Sequence, residues 1–383
     1  MSTITDRLGQ RRPGRLPAVT SGWRNPAAEH VRTLTIRGRA LRVAVREGNG
    51  QLPPLLLCNG IGASLELLQP FVDVLEPRRT IIRFDLPGVG GSPPPVLPYH
   101  MTTLAPMLAG LLDQLGHQQA DVLGISWGGG LAQQFALRCP SRVRRLVLVA
   151  TGTGALMVPA HPRVLLRMLT PRRYRDAGYV ASIAGELYGG SVRASPARAA
   201  DLLHATTRRG PGRGYYYQLL ASAGWTSLPL LPLLHQPTLI LAGDDDPIIP
   251  LANARIMHRL INRSELTVYH GGHLELVSEP ELMAPIVEEF LNVATKSAAD
   301  SAGAVLDVLG GPWGVTSAAS TAAARRHDLV HENAKSVRSG CDRVPDEGGG
   351  CCCDPHPVTP PSRLAPAAQP PRPTTIRPCR MLG

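Results

Sequence analysis

The sequence predicts an α/β fold: a mostly parallel central sheet with helices on both faces and an inserted helical cap. Three observations point there. Six short apolar runs recur along the chain, most of them separated by segments whose apolar residues fall three and four apart. Runs apolar throughout belong to parallel strands covered on both faces. One interval between runs is too long for a crossover and too apolar for a disordered loop.

In chain order, residues 1–30 are polar, carry Pro and Arg, and are expected to form a flexible arm. "VRTLTIRG" and "LRVAVREG" alternate in polarity about an Arg-Gly pair, which predicts a hairpin. "PPLLLCNG", "TIIRFDLPG", "DVLGIS" and "RRLVLVATG" follow as strands, so 31–151 is read as the first part of the core. "LELLQPFVDVL", "LAPMLAGLLDQLG" and "LAQQFALRC" read as helices between them. The long interval, 152–235, is the expected cap. "PTLILAGDDD" and "ELTVYHGGH" complete the core over 236–294. The remaining 295–383 lack periodicity, end Pro-rich, and are expected to be a disordered tail.

Composition excludes several classes. The formal charge is +11, but no basic run is interleaved with aromatics and no zinc-finger or RNA-recognition signature occurs, so nucleic acid is not an expected partner. The N-terminal "MSTITDRLGQRRPGRLPAVT" has no continuous apolar stretch of signal-peptide length, and no apolar run reaches the ~18 residues of a membrane span. Cys58 and Cys139 stand in apolar contexts and read as buried free thiols of a reducing compartment. A cytoplasmic protein is expected.

The chemistry is carried by "DVLGISWGGGLAQQFAL". Gly124-Ile125-Ser126-Trp127-Gly128 fits G-x-S-x-G between a strand and a helix, the context of a nucleophile elbow in α/β-hydrolases. Small neighbours let strand and helix close on each other while the serine hydroxyl stands above the sheet edge. A serine needs a base, and the base needs an orienting acid; in this fold they follow in the order acid, then histidine. "LAGDDDPIIP" offers Asp244, Asp245 and Asp246, and "YHGGHLEL" offers His270 and His273. Asp246 is chosen because it lies deepest in its loop, with Pro247 stiffening the exit. His273 is chosen because Gly271-Gly272 lets it turn toward Ser126. An oxyanion needs two backbone donors. Trp127 N–H is one; Ile61 N–H, in the glycine-rich "CNGIGAS" after the third strand, is the other. No metal and no organic cofactor is required.

With these residues placed, the chain resembles the α/β-hydrolase superfamily. More narrowly it resembles the intracellular poly(3-hydroxyalkanoate) depolymerases of medium-chain-length polyesters. The family-like stretches are "NGIGASLELLQPFVDVLEP", "FDLPGVGGS", "VLGISWGGGLAQQFAL", "MVPAHPRVLLRMLTPRRY", "GYYYQLLASAGWTSL", "QPTLILAGDDDPIIPLANARI" and "GGHLEL". Asn59-Gly60 stands where many superfamily members carry His-Gly. The resemblance implies a serine esterase with Ser126, Asp246 and His273 as catalytic triad. Its implied substrate is an aliphatic polyester or medium-chain acyl ester, met at a storage-granule surface. An apolar cap suits such a substrate, since burial stabilises by about 25 cal/mol per Å²; Met157, Tyr216 and Trp225 are the pocket residues expected from it. A general carboxylesterase or a carbon–carbon bond hydrolase of the same fold is the alternative enzyme. A catalytically silent binding protein would lose a triad member, and none is lost. A dehalogenase would carry Asp at 126.

Overall fold

The structure, a computed structural model, describes residues 29–293 apart from 206, 207 and 209–211. The expected tail and residues 1–28 of the expected arm lie outside the described residues. Eight strands are β1 (Glu29–Ile36), β2 (Arg39–Arg46), β3 (Leu55–Cys58), β4 (Ile81–Phe84), β5 (Ala120–Ile125), β6 (Val143–Val149), β7 (Thr238–Gly243) and β8 (Ser264–Tyr269). They form one sheet in the order β1-β2-β4-β3-β5-β6-β7-β8.

The first two strands form the expected antiparallel hairpin, with Ile36 opposite Arg39. Arg37 and Gly38 both take left-handed backbone, φ 49° and 76°, as a two-residue turn between twisted strands requires. The hairpin begins inside the stretch expected as arm, because Glu29 and His30 continue the ladder opposite Arg46 and Val45. β2 joins β4 antiparallel, and every pairing from β4 to β8 is parallel. The six apolar runs are β3 to β8. β3, β4, β5 and β7 are buried at every residue, whereas β8 closes the edge half-exposed.

The helices are α1 (Gln69–Val74), α2 (Met101–Gln114), α3 (Trp127–Arg138), α4 (Pro162–Met168), α5 (Ala177–Tyr188), α6 (Gly190–Ala194), α7 (Pro196–Ala205), α8 (Gly212–Ser222), α9 (Ala252–Leu260), α10 (Glu275–Ser278) and α11 (Pro280–Asn292). α2, α3 and α9 share one apolar cluster, with Val122 and Ile240 of the sheet. α1, α10 and α11 share the cluster of the opposite face, with Leu123 and Leu239. The alternation of side chains along each strand supplies both clusters.

The interval between β6 and β7 holds α4 to α8. Its two ends are tied together: Gly154 bridges Thr226, and the Ala155 N–H donates to the Trp225 carbonyl at 2.8 Å. Cys58 is a buried free thiol, as expected. Cys139 is not: it is disulfide-bonded, a pairing that sequence spacing does not reveal.

Candidate active site

The site lies where β3, β5 and β7 end and the loop after β8 turns back. Ser126 separates β5 from α3 with φ 54° and ψ −123°. A non-glycine residue held there stores about 1–3 kcal/mol, so the surroundings must over-determine it. They do: the Ser126 N–H donates to Val149 O at 2.9 Å, and its carbonyl accepts from the Thr151 hydroxyl at 2.7 Å. The flanking glycines are required for different reasons. A Cβ on Gly124 would lie 2.6 Å from the Gly129 Cα, the strand–helix collision foreseen from the sequence. A Cβ on Gly128 would instead strike the carbonyls at the end of β3, lying 2.5 Å from Asn59 O.

His273 is brought to the serine. Its Nε2 is 3.0 Å from Ser126 Oγ and its Nδ1 is 2.8 Å from Asp246 Oδ2. The second Asp246 oxygen accepts from the Ile248 and Ile249 amides, both at 2.9 Å, which fixes the carboxylate. Both His273 and Asp246 are buried. The His273 amide donates to Tyr188 O at 2.8 Å, and the Tyr188 ring stacks on the imidazole at a centroid distance of 6.5 Å. The rejected residues pair elsewhere. Asp244 accepts from Gly271 N–H at 3.1 Å and holds the exposed His270 at 3.0 Å. Asp245 turns to the inserted segment, accepting from Gly190 N–H and from Arg193.

Ile61 and Trp127 flank the serine, and among the described residues neither backbone N–H has a partner. The loop that carries Ile61 is held by side chains that sequence reasoning missed. Asn59 folds it, donating to Ser64 O at 2.6 Å while accepting from Gly60 N–H at 2.8 Å. The peptide after Ile61 is clamped from the inserted segment: Tyr174 OH donates to Ile61 O at 2.8 Å, and Gly62 N–H donates to Gln218 Oε1 at 2.7 Å. The Trp127 indole donates to Gln218 O at 3.0 Å. One residue of α8 thus touches both Gly62 and Trp127. Gly62 must be glycine, since its φ is +74° and a Cβ would sit 2.8 Å from the Tyr174 ring. Asp85 locks the base of the loop by accepting from Leu65 N–H at 2.7 Å and from Arg42. Burial holds its carboxyl above the usual carboxylate range. Nothing in the local sequence marks these partners, which lie far along the chain.

The cavity beside Ser126 measures about 30 Å³, room for a single water. Leu67, Met168, Tyr174, Leu203, Ile248 and Leu274 are among the side chains that wall it. Of the expected pocket residues, none lies here. Trp225 is core: its indole donates to Gln134 at 2.7 Å and its ring packs over Gly130. Met157 packs on Gly152, and the Tyr216 ring stands half-exposed, edge-on to Tyr215. Apolar character alone does not separate a wall residue from a packing residue. A wider groove of about 700 Å³, between Arg193, His270, Glu275 and Ile286, contains neither Ser126 nor His273. Among the described residues no cluster of His, Cys, Asp and Glu could hold a metal ion, and no helix is long and apolar enough to cross a membrane.

A nucleophile elbow at the end of a parallel strand, with an acid and a histidine from later strand ends, defines an α/β hydrolase, and the chain belongs to that family. The alpha/beta hydrolase fold model matches residues 53–280. Within the family it resembles a poly(3-hydroxyalkanoate) depolymerase of Ectopseudomonas oleovorans, with 48% identity over 261 residues, 68% of this chain and 92% of the relative. A 2-hydroxy-6-oxo-2,4-heptadienoate hydrolase of Pseudomonas putida is 30% identical over 256 residues, 62% of this chain and 88% of that one. Among solved structures, an enol-lactonase from Burkholderia xenovorans matches with a TM-score of 0.58 at 21% identity, covering 68% of this chain and 99% of its own, a likeness of fold.

Proposed function

We propose that this hydrolase cleaves carboxylic esters through an acyl-serine intermediate, with a poly(3-hydroxyalkanoate) as its substrate. The observation that carries the reading is the series Asp246–His273–Ser126, joined at 2.8 and 3.0 Å, its acid and imidazole buried, beside two amides that have no partner among the described residues. His273 takes the Ser126 proton as Oγ attacks the ester carbonyl carbon. Asp246 fixes the imidazole tautomer and stabilises the imidazolium. The Ile61 and Trp127 amides receive the oxyanion. Collapse breaks the acyl–oxygen bond, His273 returns the proton to the leaving alcohol, and water, activated by the same imidazole, releases the acid.

The polyester assignment is supported by the relative that is 48% identical along nearly its whole length. It takes the segment between β6 and β7 to be the cap. The likeness to the depolymerase supports a reaction in the cytoplasm, at the surface of a storage granule.

Ser126→Ala is expected to lose nearly all ester hydrolysis, since triad members act as a unit worth about 10⁶ in subtilisin. Turnover of p-nitrophenyl octanoate, and release of 3-hydroxy acids from medium-chain polyester granules, measure it. Wild-type rates in that variant would refute the assignment. Hydrolysis of a dienoate ring-fission product with none of the ester would move the reading to carbon–carbon bond cleavage.

A further inference from the structure

Arg173 lines the same small cavity as Ser126. It is 2% exposed, and no carboxylate among the described residues pairs with it. Its guanidinium bonds to Tyr215 OH at 2.8 Å, reaches Ile61 O only at 3.5 Å, and leaves Nε without a partner. The Tyr174 and Tyr215 rings lie 4.7 and 5.2 Å from it; their faces attract a cation but do not neutralise it. A buried charge without a counter-ion is costly, and proteins pair such charges. Tyr188 lines the cavity too and is 3% exposed; its hydroxyl stands beside the Arg173 guanidinium and donates its own proton to no atom among the described residues. Two buried donors, one of them a cation that no carboxylate among the described residues neutralises, therefore border the reacting serine.

We infer that Arg173 and Tyr188 form a carboxylate subsite, and that the enzyme acts at the carboxyl end of its polyester, on esters whose leaving alcohol is itself a 3-hydroxy acid. The inference rests on the hydrolase reading of Ser126 and names the substrate end that site takes. In such an ester the free carboxylate is separated from the ester oxygen by two carbons. A group held against Arg173 is then within a few bonds of the carbonyl that Ser126 attacks, as a shared cavity requires. The guanidinium fork matches a carboxylate's two oxygens.

The test compares kcat/KM for a 3-hydroxyoctanoate dimer bearing a free carboxylate with that for its methyl ester. The free acid is expected to be favoured by at least about tenfold, the worth of hydrogen bonds to a charged group. A wild-type ratio near one overturns the subsite. Arg173→Gln should bring the ratio close to one, Tyr188→Phe should lower it in part, and Arg173→Lys, which keeps charge without the fork, should fall between wild type and Gln. A merely structural role, through the Ile61 carbonyl, would slow both substrates together and leave the ratio at its wild-type value; that result overturns the proposal. If Arg173→Gln does not fold, the wild-type ratio and the Lys variant decide. If neither dimer is cleaved while p-nitrophenyl octanoate is, the polyester reading fails. The subsite is then read by inhibition of that hydrolysis. 3-Hydroxyoctanoate should inhibit about tenfold more tightly than its methyl ester, and equal inhibition overturns it.

Discussion

At position 128 the choice of residue is made by two carbonyl oxygens. Any Cβ there would meet Cys58 O and Asn59 O at the end of β3. Backbone cannot swing aside as a long side chain can, so α3 would have to retreat from the sheet. Gly128→Ala is expected to destabilise the fold by about 1–3 kcal/mol or more, the usual cost of overpacking. It should also depress activity, because the displaced carbonyls precede Gly60 and Ile61. Urea denaturation and esterase assays on one preparation would check both. Gly130→Ala should cost less, since its Cβ would meet side chains and no backbone, the Trp225 ring at 3.0 Å and the end of Met101 at 3.4 Å. The G-x-S-x-G spacing was legible because steric exclusion is local: whatever surrounds it, a sharp strand-to-helix turn leaves no room. That Gly128 faces β3 was not legible, because that contact joins distant parts of the chain.

Among the elements, the segment between β6 and β7 reaches the loop beside Ser126 through hydrogen bonds. Tyr174, just before α5, and Gln218, on α8, grip opposite ends of the Ile61–Gly62 peptide. The adjoining Ile61 N–H is the proposed oxyanion donor, so a looser peptide means a misaimed donor. Tyr174→Phe is expected to lower kcat about two- to tenfold, the equivalent of one neutral hydrogen bond. KM should change less than kcat, because the interaction matters most when negative charge develops on the substrate oxygen. Steady-state kinetics with p-nitrophenyl octanoate would check the split; a change confined to KM would assign Tyr174 to substrate binding instead. Apolar periodicity announced that this segment folds, but its hydrogen bonds to the Ile61–Gly62 peptide come from polar residues, which carry no periodic signal. That is why Met157, Tyr216 and Trp225 were expected in the pocket while Tyr174, Arg173 and Gln218 were not singled out.

For the molecule as a whole, Glu275 links three regions of the chain. Its Oε1 accepts from the Ser191 and Gly272 amides, each at 2.8 Å, and its Oε2 from the Ser191 and Ser278 hydroxyls at 2.7 and 2.6 Å. These join the inserted α6, the histidine loop and α10. Burial opposes ionisation of the carboxyl, but the Ser278, Ser191 and Gly272 hydrogen bonds outweigh it and hold it below the ordinary value of 4.5. Between the folded and unfolded values the unfolded chain binds more protons, so stability rises with pH across that window. The contribution is complete above the unfolded value and is lost as pH falls through the folded one. The Tm deficit of Glu275→Gln should therefore be largest near neutrality and shrink toward pH 3. Thermal melts across that range measure it, and an undiminished deficit in acid would rule out the ionised carboxylate as its source.

By itself the sequence determined the six parallel strands, the hairpin before them, the elbow serine and the order of acid and histidine. Those features rest on short-range physics: side-chain periodicity, the steric limits of a tight turn, and turn chemistry at strand ends. It also separated Asp246 and His273 from their neighbours, because depth in a loop and a glycine pair beside a ring are local properties. Only the tertiary structure decided which residues between β6 and β7 wall the cavity, which hold the loop of Ile61, and that a cation stands buried in the cavity beside the serine. Each of these depends on two distant segments coming within hydrogen-bond distance, and no single stretch of chain encodes the position of its partner.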